Sequence, residues 1–296
     1  MPDSSNTSTA SSSIRRQDFA LATGLIALTV IVFWPAVHWL ATQTFAHEQL
    51  KQSFFIMVLA GAWIAWEKRS NLRFAPQISN AALGWLSASY ALAACAAWLK
   101  HPLFFLAGLI AAAGGIVNYV YGGRAFRRTL PLLGVFALLI LFVLFFPILD
   151  WPLRQMAGFE AARFLKTLGL ASQLAVQPGP PAKLILLANG SPFHVATECN
   201  GFGLITSSLL LGMILLLYRQ AAWWRYLLLL PICVTVAFVF NFLRISAIVL
   251  LAPSFPSHYS ALHETAGLIA LYAGLGVVWL LTSRKVPQAR RAGAIS

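Results

Sequence analysis

Ala196-Thr197-Glu198-Cys199-Asn200-Gly201-Phe202-Gly203 is a polar knot that opens an apolar run reaching Tyr218 and stopped by Arg219. From Cys199 to Arg219 is twenty residues, roughly 30 Å at the helical rise and close to the hydrocarbon thickness of a bilayer. Two other residues share this geometry. Arg244 lies nineteen residues after Arg225, and His263 lies twenty-one before Arg284, about 28 and 31 Å of helix. If the basic stops mark one membrane face, Cys199, Arg244 and His263 gather at the other.

Composition sets the class. The 296-residue chain is 59% hydrophobic and only 10% charged, which leaves too few polar residues for a water-soluble surface and reads as a polytopic membrane protein. Its net charge of +13 falls in short Lys and Arg clusters between apolar runs. That is a topology signal rather than a nucleic-acid patch. Cys95, Cys199 and Cys233 are too scattered for a disulfide framework, and the two inside apolar runs, Cys95 and Cys233, read as small core residues. No metal-ligand spacing, phosphate loop or internal repeat is present, so neither metal nor cofactor is expected.

The expected architecture is all-α, with about eight transmembrane helices and a small outer amphipathic helix and β-hairpin between spans five and six. Residues 1–17 are rich in Ser, Thr and Asn and end near Arg15-Arg16, the composition of a disordered cytoplasmic tail. Residues 18–149 form a five-helix region with spans at about 19–40, 53–66, 80–99, 103–121 and 130–149. In the outer segment 150–198, residues 151–170 alternate apolar and charged positions as a helix lying on a surface does. Asn189-Gly190 between two β-prone runs signals a hairpin that delivers the chain to Cys199. Spans at 199–218, 223–252 and 262–282 complete the region 150–283, and 284–296 is a basic tail. With both termini inside, the inner segments collect most of the Lys and Arg, which turns Cys199, Arg244 and His263 outward.

Cys199 at a helix mouth has unpaired backbone N–H groups and the macrodipole to favour its thiolate, while Glu198 beside it opposes this. Gly201 allows close backbone approach, as a site admitting an extended peptide requires. Arg244 sits in the apolar run Asn241-Phe242-Leu243-Arg244-Ile245 with no acidic neighbour. A charge there is costly enough to mark function, and its guanidinium suits a developing oxyanion. Asn241, one turn earlier, is placed to orient it. A thiol needs a base, and His263 opens the last span with Gly267 one turn on; His258 in Pro256-Ser257-His258 is the alternative. Pro256-Ser257-His258 also touches on the lipid-phosphatase pattern but lacks the glycine between Ser and His.

Glu198-Cys199-Asn200-Gly201, then Asn241 to Ile245, then His263 with Gly267 resembles the exosortase and archaeosortase family of multi-pass membrane transpeptidases. The resemblance implies a cysteine peptidase with Cys199 as nucleophile, Arg244 as the essential arginine and His263 as base. The implied partners are secreted proteins with a C-terminal sorting tail: a short motif (Pro-Glu-Pro in the best-known type, PEP-CTERM), a transmembrane helix and a basic cluster. The implied setting is a bacterial inner membrane, with membrane lipid around the helices and cleavage near the outer face. Asn200 stands where many members have serine, so the tail motif stays open. A non-enzymatic membrane component of polysaccharide export or assembly is the rival expectation.

Overall fold

The computed structural model describes residues 6–67, 76, 79–179, 182–219 and 221–283. The basic clusters expected at 68–73 and 284–291 lie outside the described residues. The chain divides into two compact units, Met1–Leu144 and Phe145–Ser296.

The first unit holds α1 (Asn6–Ala46), α2 (Glu48–Glu67), α3 (Asn80–Leu99) and the first part of α4 (Pro102–Thr167). Helix α1 starts upstream of the Phe19 expected from hydropathy. Ser79 caps α3 by accepting the Ala82 amide, and Lys100 ends it in the left-handed region at φ 51°, a common way for a helix to stop. Phe33 is fully buried and stacks on Phe105 with centroids 5.3 Å apart. Gly108 and Gly115 admit this packing, since a Cβ on either would come within 3 Å of Phe33 or Leu86. Gly122, at φ 78° and ψ 169°, interrupts α4 between the fourth and fifth expected spans, a conformation open to glycine alone.

Among the described residues six helices are long and apolar enough to cross a membrane, not eight. Two of the expected spans fall outside that set. Helix α2 carries Glu48, Lys51 and Glu67 within or beside its apolar run. Helix α5 (Phe202–Tyr218) has 17 residues, about 25 Å.

Within the second unit the separate surface helix expected over 151–170 is corrected. Helix α4 continues through Asp150 without a break, and its helical stretch Leu132–Thr167, apolar in its first part and charged in its last, is 36 residues long, about 54 Å against a hydrocarbon core of about 30 Å. Its polar end therefore extends past the core. The physical reason is an i,i+4 ion pair between Asp150 and Arg154, which ties the turn where the break was expected.

After α4 come three strands rather than two: β1 (Ser172–Gln177), β2 (Lys183–Ala188) and β3 (Ser191–His194), antiparallel in that order. Asn189 and Gly190 join β2 to β3 with φ of 49° and 82°, the twist that a two-residue hairpin needs. Leu184, Leu186 and Ala188 of β2 are buried against Ala157, Ala161 and Leu165 of α4, and Gly158 leaves room for Leu174. Helices α5, α6 (Trp223–Leu251) and α7 (Tyr259–Ser283) pack against one another. Arg219 Nη1 donates to the carbonyls of Thr282 and Ser283 at 3.1 and 2.6 Å, so the ends of α5 and α7 meet and the last carbonyls of α7 are satisfied.

A Cβ at residue 190 would have no atom beyond its chain neighbours within 4 Å, so Gly190→Ala isolates the backbone cost of a left-handed turn. The expected loss is about 1 kcal/mol, measured as faster trypsin cleavage at Lys183 in membranes, with α-helical content unchanged.

Candidate active site

Cys199 does not lie in an α-helix. It closes a 3₁₀ turn over Thr197–Cys199, and α5 starts only after Asn200 and Gly201. The turn holds itself by Cys199 N–H to Ala196 O and Asn200 N–H to Thr197 O. Gly201 then takes φ 77°, and a Cβ there would sit 2.7 Å from Asn241 Nδ2. What approaches Gly201 is therefore Asn241, where the sequence suggested an extended peptide.

Asn241 is fully buried on α6 and donates from Nδ2 to the carbonyl of Cys199 at 2.9 Å. The expected partnership with Arg244 is corrected, because one turn further along α6 Arg244 reaches a different acceptor. Its Nη1 donates to the carbonyl of Glu198 at 2.9 Å. The two α6 side chains thus hold consecutive carbonyls of the turn that carries the thiol. The guanidinium lies over Gly267 of α7, where a Cβ would be 3.1 to 3.4 Å from its atoms. Arg244 Nε and Asn241 Oδ1 are buried with no hydrogen-bond partner among the described residues.

His263, on the first turns of α7, brings Nε2 to 3.2 Å from Cys199 Sγ. His258 lies in the exposed 3₁₀ turn Pro256–His258, with its Nδ1 2.9 Å from Ser257 Oγ. It is His263 that shares a cleft with Cys199, together with Tyr259, Phe193, His194 and Val195. The cleft leaves about 20 Å³, room for one water molecule rather than a peptide.

Burial dominates the electrostatics of the thiol. Cys199 is 5% exposed, and burial pushes its pKa above the ordinary cysteine value. The Arg244 charge pulls it down, exposed Glu198 pushes it up, and backbone hydrogen bonding at Ala196 lowers it. The helix-end stabilisation expected from sequence is outweighed, because the sulfur precedes the helix and is shut off from water.

Sequence reasoning missed Asp150 as a site residue. Asn200 is fully buried, and its Nδ2 donates to Asp150 Oδ1 at 2.6 Å while its Oδ1 accepts the Phe202 amide at 2.7 Å. The available signal was Asp150 at the end of a long apolar run with Arg154 four residues on.

A sequence model of the transmembrane exosortase family matches residues 39–280, most of the chain. The chain belongs to the transmembrane exosortase family. Comparison with curated proteins and with solved structures gives no match. The match reaches into both units of this exosortase, from residue 39 in the first to residue 280 in the second, and includes every residue of the cleft.

A thiol held protonated by burial has a distinct labelling profile. In a Cys95→Ser/Cys233→Ser background, N-ethylmaleimide labelling of Cys199 rises with pH without a plateau below about pH 9. Glu198→Gln removes a charge that raises the thiol pKa, so it accelerates labelling at neutral pH. A low-pH plateau would reveal a standing thiolate instead.

The two glycines differ in severity. Gly201→Ala combines a left-handed backbone with a Cβ only 2.7 Å from Asn241 Nδ2 and should abolish the ordered turn, whereas Gly267→Ala needs the Arg244 guanidinium to move by tenths of an ångström. Labelling of Cys199 at fixed pH should change strongly in the first and by about twofold in the second.

Proposed function

We propose that this exosortase is a cysteine peptidase or transpeptidase that cuts the C-terminal sorting tail of secreted proteins at the outer face of a bacterial inner membrane. The observation that carries the reading is the 3.2 Å contact between Cys199 Sγ and His263 Nε2, made between separate elements in a family of membrane exosortases. Amide cleavage by a cysteine needs a thiol, a base and a group that steadies the oxyanion, parts that Cys199, His263 and Arg244 can fill.

The chemistry follows from the geometry. The thiol is held protonated, so His263 Nε2 takes its proton as sulfur attacks the scissile carbonyl, rather than maintaining an ion pair beforehand. The carbonyl oxygen gains the negative charge, and Arg244, fixed by Glu198 O and Gly267, lies near the sulfur to stabilise it. When the C–N bond breaks, His263 returns the proton to the leaving amine and a thioester remains on Cys199. Water or an amine acceptor then releases the acyl group and restores the thiol.

The excess of Lys and Arg on one side of the helices supports both termini in the cytoplasm. Counting α2 and α5 as short spans restores eight crossings, and thinning of the bilayer around them or snorkelling of their polar flanks makes each short crossing feasible. The substrate's own helix then sets the height of its motif against the cleft, and its basic cluster stays on the cytoplasmic side.

Cys199→Ala, Arg244→Ala and His263→Ala should each accumulate full-length tailed reporter at unchanged enzyme abundance, with processing down by about a hundredfold or more. His258→Ala should process normally. Normal processing by both Cys199→Ala and Arg244→Ala would return the chain to the rival class, a non-enzymatic component of polysaccharide export.

A further inference from the structure

The Cys199 turn is three residues long and flanked by a glycine in the left-handed region, so its own hydrogen bonds cannot hold a sulfur to within tenths of an ångström of an imidazole. External ties must do so. Asn241 and Arg244 hold the carbonyls of Cys199 and Glu198 from α6. A further tie is Asn200, the residue after the nucleophile, which is fully buried and spends both ends of its amide. One end accepts the first amide of α5, and the other donates to Asp150 on α4.

Asp150 is suited to that task by its own partner. Its side chain and that of Arg154 are each 15% exposed, and the two form an ion pair, with the Arg154 guanidinium also 5.3 Å from the Trp151 ring. One carboxylate oxygen faces Arg154 and the other faces Asn200. The carboxylate cannot rotate toward either partner without abandoning the other.

We infer that Asp150, locked by Arg154, is a positioning residue that sets the depth and angle of the Cys199 thiol through Asn200. This rests on the reading of Cys199 as the nucleophile, and it assigns no contact between Asp150 and substrate. It also explains why an amide suits position 200: a group that donates to a carboxylate and accepts from an amide at once fits Asn, whereas Asp in its ionised form can only accept.

A charge-swap cycle in the full-length protein tests this. Asn200→Asp puts two carboxylates face to face and should displace the turn. Labelling of Cys199 by N-ethylmaleimide, in the background lacking Cys95 and Cys233, should then rise about tenfold, with processing of a tailed reporter falling in parallel. Asp150→Asn combined with Asn200→Asp reverses donor and acceptor: residue 150 donates and residue 200 accepts from both sides. The double variant should recover labelling to within about threefold of the parent, with the same pH profile, and regain most of the processing. Asp150→Ala should resemble Asn200→Asp.

A general packing role would not be rescued by exchanging the two groups, so a double variant no better than the single ones overturns the proposal. So does an Asn200→Asp protein whose labelling rate and pH profile match the parent. Labelling needs no substrate, which separates this outcome from failure of the peptidase reading. If Cys199→Ala processed normally while the swap still restored labelling, positioning of the thiol would stand and its assigned chemistry would fall.

Discussion

The absence of a Cβ at residue 201 is the constraint on which the site depends. Asn241 crosses from α6 to the carbonyl of Cys199 through space that any other side chain would fill. That hydrogen bond is buried, so it is not traded against water, and losing it would strand both the amide and the carbonyl. From this one crossing the rest follows along α6. Arg244, one turn later, meets the neighbouring carbonyl, and its guanidinium then needs a gap in α7, which Gly267 supplies. With α7 held at that distance, His263, one turn before Gly267, stands beside the sulfur.

The sheet and the long end of α4 form the other half of the support. The hairpin carries Phe193, His194 and Val195 to the cleft, and its apolar face shares a core with Cys199, Ile245 and Val249. The thiol is therefore buried by side chains from the sheet as well as from the helix. That burial raises its pKa, so the structural arrangement that positions the sulfur also keeps it protonated.

Local signals made much of this readable in the sequence. Apolar runs with basic stops located most helices, and the spacing from Cys199, Arg244 and His263 to their stops put all three near one end. Asn189-Gly190 marked its turn, because the left-handed pair it favours is a property of two adjacent residues. What was not readable was pairing at a distance. Strand β1 ends at Pro178-Gly179-Pro180-Pro181, which marks a break in the chain but names no partner, and it is the register against β2 that makes it a strand. The bond from Asp150 to Asn200 spans fifty residues, and Asn241 bonds across helices rather than along its own. Continuity of α4 through Asp150 was a local matter that hydropathy obscured, since the charge that ends an apolar run is paired with Arg154 and so does not end the helix.

On the peptidase reading, a cleft with room for one water and a protonated thiol together describe a site at rest. A free thiolate at a membrane surface would meet oxidants and electrophiles continuously, and susceptibility follows thiolate character and exposure. Here both are low. A peptide that enters must part the cleft walls formed by the sheet and α7. Proton transfer to His263 is then called for only when a carbonyl is present to receive the sulfur. On that reading the strain of opening would be met by binding along the substrate's helix, remote from the scissile bond, as binding energy away from the chemistry acts on the chemical step. A tail stripped of its transmembrane helix would keep its scissile amide but lose that source of binding energy. The length of the substrate's apolar segment is then part of its reactivity and not only its address.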